Sequence, residues 1–505
     1  MRYPIVALAA LFAIAIGLWG LVSATDGLSI TRDRLGTIPV TVFKPATDGA
    51  APVVVIAHGF AGSQQLMQPF AVTLARNGYV AVTFDFPGHG RNATPLPGGL
   101  EDHVAITRAL LEALGSVSDF SSKFRAGDGR VALLGHSMAS DIVVRYAQAH
   151  RDVSATVAVS LFFPDAAADS PRNLLIIDGA LEPGMLKEEA YRIVGLVAGA
   201  RPQERVTYGS FADGSARRLA FAGGVEHIGV IYSRESMAEA LDWMNHVFGR
   251  KGSGFIDARG LWLGLLFLGL VALGWPLARL LPRVAPLAAG AGYPWRRLLP
   301  VAVAPAVLTP LILWKLPTEF LPLLLGDYLV LHFGVYGLLT AIGMLIAGRS
   351  IGTGVRSAVN WRAFAIAVLA VMVYCVGAMG FALDSYLTNF AVIPSRMPLI
   401  LAMLCGTLPY FIADEWLTRG ASAPKGAYPF TKVLFLISLV LAVVLNLQKL
   451  FFLAIIVPAI LLLFVIYGLF SRWIYRGSNH PLVAAVANAV FFAWFIAVTF
   501  PVVNR

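Results

Sequence analysis

LLGHSMASD, residues 133–141, sets a serine between a run that reads as a strand and a run that reads as a helix. Ser137 has two readings. The common one is a helix-capping serine, whose hydroxyl accepts a hydrogen bond from a first-turn amide. The other is a nucleophile raised on a sharp strand–turn–helix bend, which strains the serine backbone and admits only small neighbours. Gly135 before it and Ala139 after it meet that size limit. Glycine is usual in the last place, so Ala139 adds one methyl to the common pattern.

Outward from that bend, RVALLG (130–135) is one of several short, continuous apolar runs, with PVVVIAH (52–58), YVAVTFDF (79–86), VSATVAVSLF (153–162) and NLLIID (173–178). Amphipathic stretches separate them: QQLMQPFAVTLARNG (64–78), EDHVAITRALLEAL (101–114) and SDIVVRYAQAH (140–150). Unbroken Val/Ile/Leu runs belong to strands covered on both faces, so an α/β fold with a doubly wound, mostly parallel sheet is expected. Such sheets bind ligands beyond the carboxyl ends of their strands, which is where Ser137 falls.

Three further features converge on acyl chemistry. HGFAGS (58–63) follows a strand run, and the backbone amides of Phe60 and Met138 would together hold an oxyanion. NLLIID runs into GALEP, which sets Glu182 just past a strand, with Asp178 at the strand end as the rival acid. GGVEHIG (223–229) carries His227 in a glycine-rich loop after the strand-like ARRLAFA (216–222). Glu226 is the alternative partner for that histidine, although adjacent residues usually point apart. His89 reads as a turn residue and His136 as a local packing or hydrogen-bonding group. Asn92-Ala93-Thr94 is a glycosylation sequon, relevant only in a eukaryotic secretory host.

On HGFAGS, DFPGHGRN (85–92) and GHSMA (135–139), residues 30–250 resemble the α/β-hydrolase superfamily, nearest to its compact esterase, monoacylglycerol-lipase-like and dienelactone-hydrolase-like branches. The resemblance covers a little under half of the chain. It implies Ser137 as nucleophile, His227 as base, Glu182 as orienting acid and an acyl-enzyme released by water, with no metal and no cofactor. It favours Glu182 over Asp178, because the acid of that family usually sits in the loop after the strand. Many relatives insert a helical cap before the acid strand; only FPDAAADSPR (163–172) stands there, so an open site is expected.

Composition decides where such a domain works. Of the 505 residues, 57% are hydrophobic and 13% charged, with a mean hydropathy of +0.72, outside the range of ordinary soluble domains. The net charge of +10 is unevenly spread: residues 1–255 hold 22 Lys/Arg against 23 Asp/Glu, and the remainder holds 17 against 6. A basic excess confined to the apolar half fits membrane topology and speaks against a nucleic-acid partner. Cys375 and Cys405 lie in apolar runs, give no disulfide or metal pattern, and read as two buried apolar-like residues.

The first apolar run, residues 4–24, is long enough to span a bilayer. Val22-Ser23-Ala24 resembles a signal-peptidase site, but the length favours an uncleaved anchor. Eight more runs follow, at about 260–281, 298–316, 328–348, 361–383, 397–413, 428–447, 450–471 and 481–501. With the N-terminus inside, thirteen Lys/Arg fall at cytoplasmic ends and five (Arg259, Lys315, Arg396, Lys449, Arg505) at outer ends. The expected organisation is an anchor at 1–24, an extracytoplasmic α/β-hydrolase domain at 25–254 and a membrane domain of about eight helices at 255–505, in a bacterial inner membrane. The apolar half carries no motif that resembles a known family.

Few ionisable groups occur in that half. Glu319, Asp327 and Asp384 toward the outer side, and Asp414 and Glu415 toward the inner, read as interfacial residues in contact with water; His332 lies about one turn inside its span. A cluster of the outer groups beneath the hydrolase would make a composite substrate site. The glycine-rich GRSIGTGVRS (348–357) follows no strand and reads weakly as a phosphate loop. Two functions compete: a membrane-anchored serine esterase, lipase or thioesterase acting on lipid-like or lipid-linked esters, and an acyltransferase or transporter whose outer domain passes on or binds an acyl group.

Overall fold

The computed structural model describes residues 2–46, 49, 51–99, 102–124, 129–348 and 358–504, so most of the loop at 348–357 lies outside the described residues. Contacts divide the chain into two compact units. One gathers Ala15–Leu266 with Leu383–Ala391 and Pro501–Arg505; the other gathers Met1–Ile14, Phe267–Ala382 and Val392–Phe500.

After the apolar helix α1 (Arg2–Ser23), the first unit runs β1 (Leu28–Leu35), β2 (Ile38–Pro45), β3 (Val53–Ala57), α2 (Gln68–Arg76), β4 (Val80–Phe84), β5 (Leu96–Pro97), α3 (His103–Ser121), β6 (Val131–His136), α4 (Met138–Ala149), β7 (Val153–Val159), β8 (Leu174–Gly179), α5 (Gly184–Ala198), β9 (Arg217–Ala222), α6 (Gly229–Tyr232) and α7 (Arg234–Phe248). Eight strands form one sheet in the order β1-β2-β4-β3-β6-β7-β8-β9. The β1–β2 and β2–β4 pairings are antiparallel, and every pairing from β4 to β9 is parallel.

Alternate residues of one strand feed opposite layers. Leu175 and Ile177 of β8 join the cluster around Phe70 of α2 and Trp243 of α7. Their neighbours Leu174 and Ile176 pack with Val144 of α4 and Ile193 of α5. With both faces covered, all five residues of β3 and all six of β6 are buried, and each large side chain so buried contributes about 1.5–3 kcal/mol. The β1–β2 hairpin has no apolar run to announce it. Five of the eight residues of β1 are exposed, and Arg32, Asp33 and Arg34 keep this edge strand from pairing with another chain.

Two segments remote in sequence complete the first unit. Residues 383–391 bond to its loops, as described below, and β10 (Val503–Asn504) lies parallel to β5.

The second unit is helical: α8 (Arg259–Leu277), α9 (Trp295–Leu313), α10 (Gly326–Ile346), α11 (Trp361–Met372), α12 (Met379–Tyr386), α13 (Met397–Thr418), α14 (Ala427–Leu445), α15 (Leu447–Ser478) and α16 (Pro481–Thr499) supply it, with the first part of α1. A π-helical turn, Val373–Ala378, joins α11 to α12. Counting that run once, nine helices among the described residues, α1 included, are long and apolar enough to cross a membrane, the complement of an integral membrane protein. Helices α10 and α13 approach closely because both present glycine: a Cβ on Gly406 would lie 2.1 Å from the Val330 carbonyl oxygen, and one on Gly337 2.5 Å from the Tyr410 nitrogen.

Three acids expected in contact with water are instead buried: Asp327, Asp414 and Glu415 are 2%, 3% and 0% exposed. Helix packing encloses them near the span ends. Asp327 accepts hydrogen bonds from the Phe320 and Tyr328 amides, Asp414 pairs with Lys432, and Glu415 is held by Arg419 at 3.2 Å and by the Ser471 hydroxyl at 2.5 Å. Cys375 is buried as expected, whereas Cys405 is exposed.

Candidate active site

Ser137 sits at the carboxyl end of β6, the fifth strand in the sheet order, with φ 56° and ψ −121°. Its side chain makes no capping bond to α4, which disposes of the helix-cap reading. A backbone in that region costs about 1–3 kcal/mol, and the surroundings hold it there. The Ser137 amide donates to the Val159 carbonyl at 2.8 Å, and the Ser137 carbonyl accepts from the Ser140 amide and hydroxyl. A Cβ on Gly135 would lie 2.3 Å from the Ala139 carbonyl oxygen, so only glycine permits the bend. Ala139 itself is fully buried, and its methyl is accommodated.

The loop after β9 delivers His227. Its Nε2 is 2.9 Å from Ser137 Oγ and its Nδ1 is 2.9 Å from Glu182 Oε1. The tautomer this geometry requires carries its proton on Nδ1 and accepts the serine proton at Nε2. The His227 side chain is 24% exposed and that of Glu182 0%: the base is open to a ligand and the acid is sealed beneath it. Ser160, next after β7, donates its hydroxyl to the same Glu182 oxygen at 2.6 Å. Glu182 lies in the turn between β8 and α5.

The rival acids are disposed otherwise. Asp178 is fully buried in β8. Burial pushes its carboxyl well above the usual range, and the neighbouring Glu182 charge adds to the rise. Glu226 spends its carboxylate on its own loop, accepting from the Ile228 and Gly229 amides at 2.8 Å.

Two further histidines, His136 and His58, hold the frame. Nε2 of His136 donates to the His227 carbonyl at 2.8 Å, anchoring the loop that carries the base. Burial pushes the His136 imidazole down to about 3, with the nearby His227 contributing, so it stays neutral. His58 donates from Nδ1 to the Gly59 carbonyl and accepts the Phe86 amide at Nε2, 3.1 Å away, which ties the loop after β3 to the turn after β4. Its pKa is lowered, chiefly by burial, with the nearby Asp85 opposing the shift. A Cβ on Gly59 would lie 3.0 Å from Ser137 Cβ, so the loop carrying the Phe60 amide abuts the bend carrying the Met138 amide. No sequence motif marks Ser160 or His136 for these tasks; only the fold brings them to Glu182 and His227. His89 is a turn residue, bonded to the Pro87 carbonyl at 2.9 Å. Asn92 is 2% exposed and bonded to the Asp85 carbonyl and the Thr94 amide, so its sequon is enclosed.

The outer acids of the apolar half are divided between the two units. Asp384 falls in the first unit, whereas Glu319, Asp327 and His332 fall in the second. Glu319 pairs with Lys449 at 2.8 Å, and His332 Nδ1 lies 3.3 Å from the Tyr328 hydroxyl.

A strained serine at the end of a central parallel strand, bonded to a histidine that is bonded to a carboxylate, is the arrangement of the α/β-hydrolase fold class. Residues 49–177 match the family model Hydrolase_4, serine aminopeptidase, S33. The match takes in the Phe60 loop and Ser137 and ends before Glu182 and His227. Similar solved structures include a predicted CIB-like hydrolase from Thermoplasma acidophilum (16% identity, 43% of this chain and 99% of that one, TM-score 0.34). Others are an esterase from Pyrobaculum calidifontis (16%, 48% and 93%, TM-score 0.31) and a membrane phospholipase A described as a bacterial virulence factor (14%, 49% and 99%, TM-score 0.32). No curated protein matches the chain.

Proposed function

We propose that the protein is a membrane-anchored serine hydrolase that cleaves carboxylic esters or thioesters of lipid-like molecules through an acyl-enzyme. The observation that carries this reading is the unbroken hydrogen-bond path from Ser137 Oγ through both ring nitrogens of His227 to Glu182. Ser137 Oγ bonds to the acyl carbon as its proton passes to His227 Nε2, and Glu182 stabilises the imidazolium. The amides of Phe60 and Met138 receive the oxyanion. Its collapse breaks the bond to the leaving alcohol or thiol, which takes the proton from His227. Water then attacks the acyl-serine, with His227 as base, and frees the acid.

The lipid-like substrate is supported by the rim of the site. Phe162, Leu181 and Ile228 stand on the loops beyond β7, β8 and β9 and Met185 in the first turn of α5, with exposures of 49%, 66%, 42% and 59%. Leu181 and Ile228 are sequence neighbours of Glu182 and His227. Exposed apolar side chains on the segments that follow the strand ends suit an acyl chain better than a water-soluble group. Purified protein assayed on acyl esters of increasing length is expected to favour long chains; turnover of short, soluble esters alone opposes the reading. The excess of Lys/Arg at one set of span ends supports an outward-facing hydrolase unit in a bacterial inner membrane. A C-terminal alkaline phosphatase fusion, active only outside the cytoplasm, is expected to be active.

A further inference from the structure

The loop after the fifth membrane-length helix ends in the hydrolase unit, against the loop that carries Phe60. Asp384, in the last turns of α12, accepts the Phe390 and Ala391 amides at 2.9 and 2.8 Å through Oδ1 and pairs through Oδ2 with Arg91. Arg91 Nε donates to Asn389 Oδ1 at 3.1 Å. The Asn389 amide in turn donates to Ser63 Oγ at 2.9 Å, and the Thr388 hydroxyl lies 3.3 Å from the same oxygen. Ser63 and Asn389 are 1% and 2% exposed. Ser63 ends the HGFAGS segment, in which the Gly62 amide closes back on the Gly59 carbonyl at 3.1 Å and Ala61 holds φ 55°.

A second path reaches the same loop. Buried Asp85 accepts the amides of Gln64 and Arg91 at 2.8 and 3.0 Å, so the turn that presents Arg91 is bonded to the residue after Ser63. Both paths pass through Arg91, and one of them begins at Asp384.

We infer that residues 384–389 are a positioning clamp, in which Asp384, through Arg91, and Asn389, through Ser63, fix the backbone that aims the Phe60 amide at the oxyanion. The inference rests on the acyl-transfer reading above. It makes the rate of the chemical step depend on a segment delivered by the membrane half of the chain. An oxyanion donor must be aligned before charge develops, because its contribution comes from needing no reorganisation during reaction. A clamp of this kind acts on kcat and leaves ground-state binding alone.

The test compares the full-length protein in lipid nanodiscs with its Ser63→Ala and Asp384→Asn variants. Five quantities are read: kcat and KM on one acyl ester, the rate of fluorophosphonate labelling, the melting temperature, and amide exchange of peptides covering 58–66 and 131–149. The expected result is a fall in kcat and labelling rate of about fivefold to tenfold, the scale of one hydrogen bond. KM stays within about twofold if the lost interaction belongs to the transition state. Exchange rises in the 58–66 peptide only, at an unchanged melting temperature. Variants that match the unaltered protein in kcat, labelling and exchange overturn the clamp while the acyl-transfer reading stands. A kcat loss that tracks a lowered melting temperature and general exchange also overturns it, because the contacts then serve folding alone. An unaltered protein that takes no label at Ser137 overturns the acyl-transfer reading and the clamp together.

Discussion

Both units bury carboxylates, and the partner of each decides what it can do. In the helical unit Asp414 pairs with Lys432 and Glu415 with Arg419, and in the hydrolase unit Asp257 pairs with Arg259 at 2.9 Å, so each of these three charges has a permanent cation. In the hydrolase unit the one ion-pair partner of Glu182 among the described residues is His227, which is cationic only when it holds an extra proton. A permanent pair settles the cost of burial once and stays as it is. A carboxylate facing a neutral imidazole holds its compensation back until a proton moves, which is the moment an acyl transfer needs it. The same residue type is thus neutralised for packing at Asp414, Glu415 and Asp257 and disposed for chemistry at Glu182.

That contrast breaks first at Ser137. Ser137→Ala is expected to lower ester turnover by about 10⁴-fold to 10⁶-fold, the scale seen where a serine, a histidine and an acid act as a unit. Stopped assays with long-chain esters check this, and turnover within tenfold of the unaltered protein contradicts it. Next in size, Lys432→Ala leaves Asp414 buried without its ion-pair partner and is expected to cost about 3–5 kcal/mol, read as a lowered melting temperature in detergent. Replacing both members with apolar residues, Asp414→Leu with Lys432→Met, is expected to restore most of the loss; failure to do so would show that the pair has a task beyond neutralisation.

Smaller effects sharpen the hydrolase side. His136→Phe removes the donor to the His227 carbonyl, worth about 1 kcal/mol, and lowers kcat by up to about tenfold. Because His136 titrates only near 3, that loss is expected to be uniform above about pH 5; a pH-dependent loss contradicts its role as a neutral anchor. The smallest effect is that of Asp178→Asn. Burial raises the Asp178 pKa in the folded protein, so between the unfolded value of about 3.9 and the raised folded value the folded state holds more protons. Stability therefore falls as pH rises through that window. The amide that replaces the carboxyl does not ionise, so the variant is expected to gain melting temperature at neutral pH relative to acid; an equal shift at both contradicts the assignment.

The sequence made one half of this contrast more legible than the other. The parallel strands were readable because both faces are buried and their apolar runs are unbroken, as in VVVIA of β3. The hairpin of β1 and β2 was not, because β1 lies in solvent on both faces and has no period to detect. Ser137, His227 and Glu182 could be picked out because each follows a strand run at a small-residue turn. His136, Ser160 and Asp384 could not, since their partners lie far along the chain and are set by folding alone. The nine helices of membrane length among the described residues were legible from hydropathy. The pairing of Asp414 with Lys432 was not, because residues near span ends read as exposed until neighbouring helices are known to cover them.

Activation of the Ser137 hydroxyl through His227 can be read by treating the full-length protein with a fluorophosphonate and mapping the adduct by peptide mass spectrometry. A single adduct is expected on the peptide containing Ser137, lost in a His227→Ala variant that melts at the same temperature. An adduct on another serine, or labelling of Ser137 at an undiminished rate without His227, would contradict it.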